Sequence, residues 1–275
     1  MKNFSKISSL FLFALQLSIN AQVTTFVWKN VNSEKVFSNT VNDRFKVDVK
    51  LPDTYYDSTK TYPVLIVLDG DLLFPISLGA THYLESGNHL PEMIIVGIGY
   101  GAFEWFNGNN RSRDYTAHPT EGRPYEGGAE VFLEFLKDEL IPHLSHKFRI
   151  DESRLVLMGH SLGGQFVVNA FLSEPSLFKG YIASSPNIAM WQDYFWNTLE
   201  VNREKINQTS NKIFISVGEK EVKEIYLQPI DQLVNNLKND LLKKERIIFK
   251  KIENGEHFIV PSIALVYGLV ELFEE

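Results

Sequence analysis

An α/β fold, with a mostly parallel central sheet and helices on both faces, is what this 275-residue chain predicts. Two observations carry it. Beyond about residue 60 the apolar residues gather in short unbroken runs, as they do in strands buried on both faces of a parallel sheet. Between those runs lie segments with helical spacing, and strands alternating with helices of this length build βαβ units.

Taken in order, the first third reads as strands. Thr24–Lys29 is one, and Phe45–Leu51 alternates apolar and polar residues as a half-buried strand should. Val64–Leu68 and Met93–Ile98 are the first continuous apolar runs. Ala129 to His146 is helical through Val131, Phe132, Phe135, Leu136 and Leu140, with Pro142 as an expected kink or break. Leu155–Met158 is a buried strand, Phe166–Leu172 a helix and Ile213–Val217 a strand. Leu227–Leu242 carries Ile230, Leu233, Val234 and Leu237 on one stripe. Arg246–Ile252 is a last strand and Ile259–Phe273 a last helix.

Composition removes whole classes of function. The chain is 44% hydrophobic and 22% charged, an ordinary globular balance. It has no Cys, which excludes disulfide frameworks, Cys-ligated zinc, iron–sulfur clusters and thiol nucleophiles. Its net charge is −7 with no basic run, a poor match to a phosphate backbone, so no nucleic-acid partner is expected. No metal-binding H-E-x-x-H and no phosphate-cradling glycine loop is present, so the expected chemistry needs no cofactor and no metal.

Residues 1–21 have the layout of a secretory signal peptide. Lys2 and Lys6 precede the apolar Leu10–Leu15, and Ala21 stands just before Gln22. That apolar core is too short to span a bilayer about 30 Å thick, so no transmembrane segment is expected. The expectation is an exported protein, periplasmic or secreted, whose residues 22–275 form one α/β domain without a Pro/Gly/Ser linker.

The most informative segment is Gly159-His160-Ser161-Leu162-Gly163, a G-x-S-x-G match. About one chain in ten of this length carries that pattern by chance. Here a buried strand runs straight in and a helix straight out, the context of a nucleophile elbow. Ser161 is the expected nucleophile, and neighbouring His160 is expected to pack or hydrogen-bond elsewhere. An elbow serine needs a base and an orienting acid later in the chain. His257, in the loop after Arg246–Ile252, stands where the base belongs. The corner after Ile213–Val217 offers Glu219, Glu221 and Glu224, with Glu221 favoured by its spacing from Gly218. The tetrahedral oxyanion needs donors. The N–H of Leu162 is one, and the N–H of Asp71, after the strand Val64–Leu68, is the favoured second. The Gly- and Asn-rich stretch 101–127, with Trp105, Phe106, His118 and Tyr125, is either a loop bordering the cleft or plain surface.

These residues resemble the putative esterase family of the α/β-hydrolase superfamily, which includes esterase D-like and enterochelin-type siderophore esterases. The likeness rests on Tyr62–Gly70, Arg113–Thr116, Gly127–Glu130, Glu139–Pro142, Gly159–Gly164, Leu177–Tyr181 with Ser185-Pro186, and Glu256-His257. It implies an α/β-hydrolase fold and a serine-dependent ester hydrolase, with Ser161 as nucleophile and His257 as base. Arg113, from the family motif, is expected first as a structural salt bridge and second as a substrate contact, and Trp191, beyond Ser185-Pro186, is a candidate substrate contact. The implied partner is a small-molecule ester such as a siderophore, or an acyl ester on a glycan. Transfer of the acyl group to another alcohol, or a non-catalytic binder on the same scaffold, are the alternatives.

Overall fold

The structure, a computed structural model, describes residues 28–102, 109–123, 126–241 and 243–274. Eight strands form one sheet: β1 (Val31–Ser38), β2 (Asp43–Lys50), β3 (Tyr62–Val67), β4 (Ile94–Gly99), β5 (Ile150–His160), β6 (Gly180–Ser184), β7 (Lys212–Gly218) and β8 (Ile247–Ile252). Their order is β1-β2-β4-β3-β5-β6-β7-β8. β2 pairs antiparallel with both β1 and β4, and every later pairing is parallel. This is the expected mostly parallel sheet, of the α/β-hydrolase type.

The continuous apolar runs are explained by cover on both faces. All residues of β3, β4 and β6 are buried. Leu65, Val67, Val156 and Met158 face a core built by α1 (Gly70–Ser86) and α8 (Val260–Phe273). Their neighbours Val64, Ile66, Leu155 and Leu157 face the larger core on the opposite side. That side is covered by the helical stretch 129–147, α5 (Leu162–Ser173), α6 (Gln192–Gln208) and α7 (Gln228–Asp240), with the short α2 (Arg111–Tyr115) above it.

Pro142 does not break its helix. The stretch runs unbroken as α3 (Ala129–Glu134), a wide π-helical turn (Phe135–Leu140) and α4 (Ile141–Lys147). A proline ring collides with the carbonyl four residues earlier in a regular α-helix, and the wider turn before Pro142 relieves that collision. The same device recurs before Pro229, where Lys223–Leu227 is π-helical.

The strand expected at Thr24–Lys29 lies mostly outside the described residues, and Trp28 and Lys29 are not in a strand. Among the described residues the first strand is β1, an edge strand too polar and exposed to show a buried periodicity. Helices α1 and α6 and strand β6 carry weak sequence signals. The parallel pairs β3–β4 and β6–β7 require crossovers, which α1 and α6 supply.

Helix α1 also carries a buried acid. Glu85 accepts the Met93 N–H at 3.2 Å, and burial pushes its pKa from the ordinary 4.5 up to about 7. Between those values the folded protein holds a proton that the unfolded chain has lost, so this group's contribution weakens as pH rises. Glu85→Gln keeps the acceptor and removes the titration. Its melting temperature relative to the native protein is expected to rise from pH 5 to pH 8 by thermal unfolding. A pH-independent difference would refute the assignment.

Candidate active site

β5 delivers Ser161 into a backbone conformation that L-residues avoid, φ 58° and ψ −115°, before α5 begins at Leu162. The turn is tied on both sides. The Ser161 N–H donates to Ser184 O at 2.9 Å, and Ser161 O accepts from Gln165 N at 2.9 Å and Asn187 N at 3.1 Å. Two glycines make it sterically feasible. A Cβ on Gly159 would stand 2.3 Å from Gly163 O, and one on Gly164 would stand 2.7 Å from Ser184 O. The local sequence therefore dictates the strained, half-buried serine.

The loops after β7 and β8 bring an acid and an imidazole to the same edge. His257 Nδ1 donates to Glu221 Oε1 at 2.5 Å. The Glu221 side chain is 1% exposed, and its Oε2 accepts from Ser185 Oγ and Gly218 N, each at 2.6 Å. The carboxylate is thus buried with three donors, as a buried charge must be. Of the other two acids, Glu219 accepts the Asn254 N–H at 3.0 Å, and Glu224 is exposed. His257 and Ser161 line two cavities together.

His160 packs beside this pair, its ring centroid 4.4 Å from that of His257, with Nδ1 3.0 Å from Ser184 Oγ. Burial, then the nearby His257 and Arg111 charges, lowers its pKa to about 3. It is neutral at any working pH and is a poor base. Packing and hydrogen bonding are its roles, as its place in the turn implies.

Asp71 and Leu162 stand in the first turns of α1 and α5, where N–H groups have no partner within their own helix. The Asp71 carboxylate is turned away, accepting Tyr100 N at 2.7 Å and Gly101 N at 3.0 Å. Both residues line cavities that open on Ser161. Neighbouring Asp69, in left-handed backbone (φ 53°), is clamped by Arg111, whose Nε and Nη2 reach its two oxygens at 2.7 and 2.8 Å. The guanidinium also touches His160 O at 3.3 Å, so this buried pair links the two backbone turns. Nothing local in the sequence signals that clamp, because the partners are 42 residues apart.

The cleft has two lobes. The smaller, about 330 Å³, is walled by Leu72, Leu73, Ile76, Phe258 and Pro261. The larger, about 820 Å³, mixes polar and apolar walls, with Arg113, Arg123, Asn187, Trp191 and Tyr226 among them. Stretch 101–127 therefore borders the cleft; Trp105, Phe106 and Tyr125 lie outside the described residues. Arg113 spends its guanidinium on Asp114 (2.7 and 3.0 Å) and Asp43 (2.8 Å), while Trp191 donates to His118 O at 3.3 Å. Both border the larger lobe, but Arg113 reaches it as half of a carboxylate cluster. Among the described residues no group of three or more His, Asp or Glu side chains is arranged to hold a metal ion, and no helix is long and apolar enough to cross a membrane.

Two further residues, given no role from the sequence, join the site. Ser185 donates to Glu221, and its backbone is left-handed at φ 41°. Tyr226, on the π-helical turn Lys223–Leu227, places its hydroxyl 3.4 Å from His257 Nε2 and lines the same cavity as Ser161.

A family model described as putative esterase matches residues 38–243. The ferri-bacillibactin esterase BesA of Bacillus subtilis is 35% identical over 183 residues, covering 58% of this chain and 60% of that protein. The siderophore triacetylfusarinine C esterase of Aspergillus fumigatus is 32% identical over 177 residues, covering 61% of this chain and 58% of that protein. The matched segments thus span less than two thirds of these curated relatives. In fold, the BES protein from Bacillus cereus aligns with a TM-score of 0.82 at 24% identity, covering 94% of this chain and 100% of that one. The siderophore hydrolase EstB from Aspergillus nidulans aligns with a TM-score of 0.78 at 21% identity, covering 91% and 97%.

Proposed function

Since the chain belongs to the putative esterase family, we propose that it is a serine carboxylic-ester hydrolase working through an acyl-enzyme, with a siderophore ester as substrate. The observation that carries this is the strained Ser161 turn beside a His257 imidazole held by a buried carboxylate. The siderophore assignment is supported by the names of BesA and the triacetylfusarinine C esterase, and by a larger lobe roomy enough for a bulky polar group. Residues 1–21, with Lys2 and Lys6 before an apolar run, are taken as an export signal.

The steps follow from the residues. Ser161 Oγ attacks the ester carbonyl carbon while its proton passes to His257 Nε2. Glu221 keeps the Nδ1 proton in place and stabilises the imidazolium. The N–H groups of Leu162 and Asp71 receive the developing oxyanion. The intermediate collapses, the carbon–oxygen bond to the alcohol breaks, and His257 returns its proton to the departing oxygen. Water then repeats the sequence on the acyl-enzyme, releasing the acid and free Ser161. His160 stays neutral throughout, so it does not compete for the proton.

The test is turnover of p-nitrophenyl butyrate and of ferri-bacillibactin, with products identified by mass spectrometry, beside labelling by a fluorophosphonate probe. Cleavage of both esters and a label on Ser161 are expected. Label and p-nitrophenyl turnover without siderophore cleavage would remove the substrate assignment and leave the chemistry. No label and no turnover would remove both.

A further inference from the structure

Tyr226 is not a member of a serine–histidine–acid constellation, yet its hydroxyl lies against the base and on the cavity wall that Ser161 shares. It is 3.4 Å from His257 Nε2, with its ring centroid 4.7 Å from the imidazole. That position has a chemical meaning. His257 Nε2 must take the proton of Ser161 and then deliver it to the departing alcohol oxygen. The departing oxygen must therefore lie within hydrogen-bond reach of Nε2 and beside the acylated serine. Tyr226 Oη marks that locus, on the wall of the larger lobe that Ser161, Leu162 and His257 also line.

Resting on the serine-hydrolase mechanism above, we propose that Tyr226 is a further catalytic residue, whose hydroxyl donates a hydrogen bond to the leaving alcohol oxygen, so that the larger lobe takes the alcohol half of the ester. As the carbon–oxygen bond breaks, its electron pair moves onto that oxygen. The Nε2 proton of His257 goes to it, and the Tyr226 hydroxyl keeps its own proton while stabilising the developing charge. In the second half-reaction the attacking water occupies the same place, gives its proton to His257 and bonds to the acyl carbon. Burial pushes the Tyr226 pKa upward, which keeps the hydroxyl protonated and a donor.

The experiment compares native protein with Tyr226→Phe on two butyrate esters, ethyl and p-nitrophenyl. The variant keeps the ring that packs on His257 and loses only the oxygen. Nitrophenolate leaves as a stable anion and needs little help, whereas an alkoxide must be stabilised and protonated. The expected result is a loss in kcat/KM of about 10- to 100-fold on the ethyl ester, the worth of a hydrogen bond to a charged group. On the nitrophenyl ester, whose leaving group needs little stabilisation, the loss is expected to be at least about 5-fold smaller than on the ethyl ester. Equal losses on both esters, no loss on either, or a gain would overturn the role of Tyr226 while leaving the hydrolase mechanism standing. A native protein that neither turns over an ester nor takes the fluorophosphonate label would overturn both.

Discussion

Ser161→Ala is expected to lower kcat on p-nitrophenyl butyrate by about five to six orders of magnitude, the scale of nucleophile removal in serine hydrolases. The fold should be untouched. Alanine keeps a Cβ at the same left-handed backbone position, φ 58°, so the turn carries the same strain. Ser161→Gly separates the two effects. It is equally inactive, yet glycine tolerates that conformation without cost, and strain of this kind is worth about 1–3 kcal/mol. The glycine variant should therefore melt several degrees above the alanine variant, as thermal unfolding will show. Ester turnover near the native rate in either variant would end the assignment of Ser161 as nucleophile.

The second large effect is expected at Glu221. Its two oxygens face different donors, Oε1 the imidazole Nδ1 and Oε2 the Gly218 N–H with the Ser185 hydroxyl. In Glu221→Gln the amide must choose. Gly218 N–H is a fixed donor that cannot turn away, so the amide oxygen belongs on its side and the NH₂ group faces His257. The imidazole then has to accept at Nδ1 and carry its proton on Nε2, where it can no longer take the proton of Ser161. A fall in kcat of about 10⁴ follows, the magnitude seen when an orienting acid is replaced by its amide. Glu219→Gln and Glu224→Gln are exposed changes outside that contact and should stay near native rates. Steady-state kinetics on the three variants decides the matter. Native-like turnover in Glu221→Gln would leave Ser161 and His257 working as a pair without an acid.

The elements that chemistry needs were legible to different degrees, and the reason is distance along the chain. The Ser161 turn is written within Leu155–Leu172, because a buried strand, two close-packed glycines and a helix all act locally. His257 is legible by order, since the loop after the last strand must open at the same sheet edge as the serine. Glu221 shared its corner with Glu219 and Glu224, and in the sequence only its spacing from Gly218 favoured it. Burial ranks them, for only Glu221 turns inward to the Gly218 and Ser185 donors.

By itself the sequence determined the class of fold, the parallel core and the turn that presents Ser161, because these follow from apolar periodicity and from steric limits within a few residues. The tertiary structure alone decided the partners. Tyr226 reaches His257 across a separation of 31, and the Arg111–Asp69 clamp spans a separation of 42. The shape of the two lobes is decided in the same way, by loops from strands far apart in sequence. A hydrogen bond or a cavity wall depends on where side chains meet in space, and only the packed sheet brings those distant loops to one edge.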